Sequence, residues 1–220
     1  MTEMSNTLGV EYVDHMGSDK KIAQAARTST KGLDNDRPKV EGLVKALWRD
    51  GHFSPFEHCA LTVALDVPLF VRDQIVRHKS MSFSVFSGRY AEFAPRFYVP
   101  GVERPLVQTG KALDYRREPG ADEQRQATAS HHVVAAGEGL NAYRVLLESG
   151  VANEVARNVL PASTYTQMWV TANLRSWLHF LDQRLDEHAQ WEVRQVAEKV
   201  SEIIRHIFPV AHQAREAGRS

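Results

Sequence analysis

The sequence predicts an α+β fold in a single domain spanning residues 1–220, with a small, mostly antiparallel sheet and long C-terminal helices. Two observations carry this. An apolar stripe runs through Leu174, Leu178, Leu181, Leu185, Ala189, Val193, Val196, Val200, Ile203 and Ile207 at spacings of three or four, as a buried helical face requires. A β-branched and apolar segment, Ala60–Val67, ends at Pro68 and reads as a strand. Strands and helices do not alternate as βαβ units, which argues against a doubly wound sheet.

In chain order, Ile22–Ser29 reads as a short helix, and Val40–Arg49 as another with Val40, Leu43, Val44 and Leu47 on one face. A turn follows at Gly51–Pro55. Pro68–His78 suits a helix with proline in its first turn. The serine-rich stretch Ser80–Tyr90 reads as a loop, Phe93–Val99 as extended, and Pro100–Gln124, with its prolines and glycines, as loop. Ala127–Ser149 reads as a helix ended by Gly150, and Gly150–Leu160 as a helix stopped by Pro161.

Composition narrows the class. Lys+Arg and Asp+Glu are equal at 27 each, so no global charge draws the chain to nucleic acid or to a membrane surface. No apolar run is long enough to span a bilayer, and Met1–Gly9 lacks the pattern of a signal peptide. The single cysteine, Cys59, cannot form an internal disulfide, which fits a reducing compartment and a cytoplasmic location.

Three clusters carry possible chemistry. Arg77-His78-Lys79 precedes Ser87-Gly88-Arg89-Tyr90. Adjacent cationic side chains repel one another and suit either a solvated face or an anionic partner, and arginine forks match phosphate. The second cluster is His52, Ser54, Glu57 and His58. Its two histidines lie six apart across a turn with Pro55, so a hydrogen-bonded polar turn is preferred to a metal site. The third spans Asn173–His188. Arg175 and His179 share one helical face, as do Arg184 and His188, but the two pairs lie about 180° apart on a continuous helix. Either they serve different clefts or the helix breaks between them, with Asp186 a plausible cap for a fresh start.

Taken together, these segments resemble the flavin-dependent thymidylate synthase family. Its signature of Arg-His-Arg, seven residues, then Ser is matched by Arg77-His78-Lys79 and Ser87. Further matches, in the family's order, are Ala25–Ser29, Ser54–His58, Ser87–Tyr90, Ala156–Pro161, Asn173–Ser176, and Arg184 through His188–Gln190. The resemblance implies a homotetramer with active sites where subunits meet. It also implies bound FAD reduced by NADPH, with methylenetetrahydrofolate as carbon donor and dUMP converted to dTMP. Carried over by position, Ser54, Arg77, His78, Lys79, Asn173, Arg175, His179 and His188 would serve the flavin. Gln74, Arg77, Ser87, Gly88, Arg89, Arg157 and Arg184 would hold the nucleotide, with Arg184 polarising the pyrimidine. Cys59, in a strand among apolar residues, reads as a structural thiol. Ser87 has no adjacent base and reads as a substrate contact.

The sequence departs from the family at Lys79, where arginine is usual, and at Ser84 and Val85, where many members carry Asn-Glu; His179 stands where some relatives have asparagine. Lysine keeps the charge but loses the fork, and Val85 replaces an acid with an apolar group. These differences leave two alternatives: the same fold acting on another pyrimidine nucleotide (dCMP methylation or hydroxymethylation), or a flavin- and nucleotide-binding protein without turnover.

Overall fold

The computed structural model describes residues 2–33, 39–111 and 114–218. In chain order the elements are β1 (Glu3–Ser5), β2 (Gly9–Met16), α1 (Asp19–Lys31), α2 (Val40–Arg49), a 3-10 turn (Ser54–His58), β3 (Ala60–Pro68), α3 (Leu69–Ile75), β4 (Ser82–Val85), β5 (Arg96–Tyr98), β6 (Val107–Lys111), β7 (Asp114–Glu118), α4 (Asp122–Glu148), α5 (Asn153–Ala156), a 3-10 turn (Arg157–Val159), β8 (Tyr165–Asn173), α6 (Leu174–Arg184), α7 (Trp191–Ile207) and α8 (Pro209–Ala217). The architecture is α+β with small, mostly antiparallel sheets. No helix among the described residues is long and apolar enough to cross a membrane.

The chain divides into two compact units, each assembled from separate segments. The first comprises residues 1–9, 66–75 and 85–168. Its core forms where α4 lays Ala136, Leu140 and Tyr143 against Phe97 of β5 and Ala156 of α5. β5 pairs in parallel with β1, Met4 facing Phe97. The Tyr143 hydroxyl accepts from the Phe93 amide at 3.3 Å. Arg96 pairs with Asp66 and Glu3 and lies over the Tyr165 ring at 4.0 Å.

The second unit comprises residues 10–65, 76–84 and 169–220 and contains most of the four-stranded sheet, of order β2-β3-β8-β4. Thr62 meets Thr171 at 2.9 Å, while the Leu174 amide donates to Cys59 O, so β3 and β8 run antiparallel. Both strands alternate, and Leu61, Val63, Val170 and Ala172 are buried on one face. Against that face α6 buries Leu174, Trp177, Leu178 and Leu181, and the Trp177 indole donates to Leu61 O at 2.9 Å. α7 continues the apolar layer with Val193, Val196, Val200 and Ile204. Ser18 caps α1, and Asp19 accepts from the first amides of α8, Val210 and Ala211, at 3.0 Å each. Gly17, at φ 93°, permits a close approach that no side chain could: a Cβ there would lie 2.5 Å from Cys59 Sγ.

Several expectations hold, with revised limits. Val40–Arg49 has the predicted bounds; the helix expected at 22–29 extends to Asp19–Lys31, and that at 127–149 begins at Asp122. The C-terminal stripe is interrupted, with α6 ending at Arg184 and α7 starting at Trp191. The N-cap of α7 is Gln190; the Asp186 carboxylate instead accepts from the His188 amide. Four readings are corrected. The serine-rich loop contains strand β4, because its alternating residues join a sheet edge. The stretch 100–124 contains the antiparallel hairpin β6–β7, held by backbone pairing that its polar side chains do not advertise; Ala112 and Leu113 lie outside the described residues. The helix expected over 150–160 is only one turn plus a 3-10 turn, and Pro68 ends β3 instead of opening α3.

Candidate functional site

In the second unit, α6 presents Arg175, His179 and Asp182 to a cavity of about 460 Å³, whose other lining includes Trp48, Phe53 and Ser80. The helix begins there because Asn173 Oδ1 accepts from the Ser176 amide at 2.9 Å, satisfying one of the first-turn donors. Residues three and four apart share a face, which is why these three side chains converge. The opposite wall is aromatic. Gly51, at φ 73°, turns the chain after α2 so that Phe53 meets Trp48 edge-on at 4.9 Å. Arg175 pairs with Glu57 at 2.5 Å and lies 5.5 Å from the Phe53 ring centre. His179 Nε2 is 3.0 Å from Gln183 Nε2.

At the end of α6, Arg184 Nε donates to His78 Nε2 at 2.9 Å. His78 is 8% exposed and packs edge-on against Phe180 at 4.9 Å. Burial, then the positive charge of Arg184 and of His179, pushes its pKa down to about 4. The imidazole is therefore neutral at pH 7, and because Nε2 accepts, the ring proton resides on Nδ1. Burial and the neighbouring Arg77 charge also lower the Arg184 pKa, but a guanidinium remains a cation. Arg77, Lys79, Ser54 and His188 are exposed. His188 Nδ1 lies 3.0 Å from Asp186 in the turn between α6 and α7.

The structure thus gathers Asn173, Arg175 and His179 around one cavity and joins His78 to Arg184. Ser54, Arg77, Lys79 and His188 do not line that cavity.

In the first unit, Ser87–Tyr90 forms a tight turn, with the Tyr90 amide donating to Ser87 O at 3.1 Å and the Arg89 amide to Ser87 Oγ at 3.4 Å. Gly88 has a structural reason beyond ligand approach: a Cβ there would lie 2.2 Å from the Phe93 ring. Arg89 pairs with Glu154 at 3.1 Å, both half-exposed. Gln74 sits half-buried on α3, and Arg157 half-buried in the 3-10 turn after α5.

Sequence reasoning passed over Trp48, Phe53, Ser80 and Asp182. Only Asp182 was legible, as it follows Arg175 by seven and His179 by three on one helical face. Cys59 is fully buried, donates to Ser18 O at 3.6 Å, and has its thiol pKa raised by burial, all unlike a nucleophile.

A family described as "Thymidylate synthase complementing protein" matches residues 11–210. A flavin-dependent thymidylate synthase of Thermotoga neapolitana is 40% identical over 205 residues, covering 93% of this chain and 89% of the relative. That of Streptomyces avermitilis is 36% identical over 219 residues, with the same coverage of 93% and 89%. Among solved structures, the UMP/dUMP methylase PolB of Streptomyces cacaoi, bound with 5-Br UMP, superposes with a TM-score of 0.92 at 37% identity, over 98% of this chain and 96% of that one. The same enzyme with 5-Br dUMP gives 0.92 at 36% identity, over 98% and 97%. On this match in sequence and structure, the chain belongs to the flavin-dependent thymidylate synthase family.

Proposed function

We propose that the chain is one family domain over residues 1–220 that methylates C5 of dUMP to give dTMP. It would act as a cytoplasmic homotetramer with bound FAD, NADPH as reductant and methylenetetrahydrofolate as carbon donor. The observation that carries the reading is the Arg184–His78 bond. Nε donates to a buried, neutral imidazole, which fixes the orientation of the guanidinium. A cation so preorganised suits charge that develops on N3 and O2 of a uracil ring when C5 reacts.

The cavity chemistry fits part of a flavin dinucleotide. Its volume lies within the range of small-molecule sites, Trp48 and Phe53 offer apolar faces for a flat ring system, and Arg175 offers a fork for phosphate. Asn173, Arg175 and His179 would hold the cofactor, with Ser54, Arg77, His78, Lys79 and His188 as further contacts. Bound flavin would supply the carbon-transfer and reducing chemistry that other thymidylate synthases begin with a cysteine thiolate. Gln74, Arg77, Ser87, Gly88, Arg89 and Arg157 would bind the nucleotide, the arginines at its phosphate. His78, kept neutral with its proton on Nδ1, would fix the orientation of Arg184. An anionic ligand at Arg175 would have to displace Glu57, which is an exposed pair and therefore weakly held.

A second reading, turnover of a related pyrimidine nucleotide, is favoured by Val85 in place of the usual acid and by a structural relative described as acting on UMP as well as dUMP. Paired assays with FAD, NADPH and methylenetetrahydrofolate would offer dUMP, UMP or dCMP, with products identified by mass. Thymidylate from dUMP alone supports the main reading. A methylated ribonucleotide or a modified cytidylate replaces it with the second, and flavin binding without any product would leave a binding protein.

A further inference from the structure

Asp182 is a charged residue of the cavity wall for which the proposed function has no role. Its Oδ1 accepts from Arg215 Nε at 2.8 Å. Arg215, near the end of α8, has a side chain that is 0% exposed, and its Nη1 donates to Glu216 at 2.5 Å. Removing a guanidinium from water is costly and is offset only when its charge is met by close partners. α8 also backs the aromatic side of the cavity: a Cβ at Gly218 would lie 3.2 Å from Trp48 Nε1. The last turn of the described chain therefore meets two walls of the cavity, one acidic and one aromatic.

The charges facing the cavity make this arrangement consequential. Arg175 and Glu57 already pair with each other. Asp182 lies seven residues along α6 from Arg175, about 10 Å of helix rise. Without compensation it would oppose an anionic dinucleotide across that distance. We propose that Arg215 is a positioning residue for the cofactor: it pins Asp182 in the cavity wall and cancels its charge, so that the C-terminal helix sets the affinity for an anionic dinucleotide. This rests on the cofactor reading above.

The test is FAD binding by the full chain, followed by flavin fluorescence over a range of KCl concentrations, with apo thermal melts alongside. Arg215→Met is expected to weaken FAD binding on the order of tenfold, the scale of one unscreened charge at this distance. The double variant Arg215→Met/Asp182→Asn is expected to recover most of that loss, because the opposing carboxylate is gone. Asp182→Asn alone is expected to bind FAD at least as tightly as the wild type, with a steeper salt dependence from the unmasked cation. A merely structural Arg215 would leave the double variant as weak as the single. Any of three results overturns the inference: wild-type affinity in folded Arg215→Met, no recovery in the double variant, or weakened binding in Asp182→Asn. Should Arg215→Met not fold, the Asp182→Asn titration decides alone. A wild-type chain that binds no FAD would overturn the cofactor reading itself, an outcome distinct from the other three.

Discussion

The end of α6 and the Ser87–Tyr90 turn both present arginines, but they hold them differently. Arg184 is half-buried and fastened to a neutral histidine beneath Phe180; Arg89 stands half-exposed, paired to an equally exposed glutamate. The first arrangement fixes a cation's orientation in a poorly screened place, which suits stabilising charge as it develops. The second keeps a solvated cation in an exposed pair, which suits capture of a phosphate and contributes little to the fold. Residue type alone does not separate these roles; the surroundings do.

The strongest way to break this comparison is Arg184→Ala. Loss of one preorganised donor is expected to cost about 3–4 kcal/mol in the transition state, roughly a hundredfold or more in kcat, against about 1–3 kcal/mol in stability from leaving buried His78 Nε2 without this donor. An equal loss from Arg89→Ala in kcat would erase the distinction. Next in size is stability at the last turn of α6. Arg215→Met leaves Asp182 without its buried partner and should destabilise the chain by about 3 kcal/mol, the low end for such pairs because Asp182 is partly solvated. Urea unfolding checks this.

Then comes the pH dependence that His78 imposes. Its folded pKa, about 4, lies below the ordinary histidine value near 6.5. The unfolded chain therefore takes up a proton there before the folded one does. The stability held by neutral His78 is fully present above pH 6.5 and is lost as pH falls from about 6.5 to 4, by about 1–3 kcal/mol. Urea midpoints at pH 7 and pH 5 should differ accordingly, and His78→Gln should flatten that part of the profile. A profile unchanged in His78→Gln would mean that other groups carry it. The smallest effect is on the exposed pair: Arg89→Ala should alter stability by less than about 1 kcal/mol, while raising the nucleotide KM. Both are read from one preparation, and a large fall in melting temperature would show the turn to be structural.

Much of the helical framework was legible. Val40–Arg49 stands where its apolar face placed it, but the break in the C-terminal stripe comes after Arg184, inside the Arg184/His188 pair and not between the two pairs, so Arg175, His179 and Arg184 share one helix and His188 lies in the turn beyond it. Strand β8, Tyr165–Asn173, is harder to read, because a buried Thr166 and an exposed Trp169 blur the apolar alternation along it. Hairpin β6–β7 is hidden more completely. Its stability is in backbone pairing, and its side chains show no apolar period.

What the amino-acid sequence determined by itself is local and periodic: which face of the C-terminal helices is apolar, and which segments match the family's motifs. It also marked Arg175, His179 and Arg184 as residues to follow. Only the tertiary structure decided that His78 is neutral, that Gly88 makes room for Phe93, and that Asp182 is met by a buried Arg215. Those facts depend on burial and on contacts between residues distant in the chain, 106 positions apart for His78 and Arg184 and 33 for Asp182 and Arg215. Desolvation and charge pairing are set by the surroundings of a side chain, and a linear sequence does not specify them.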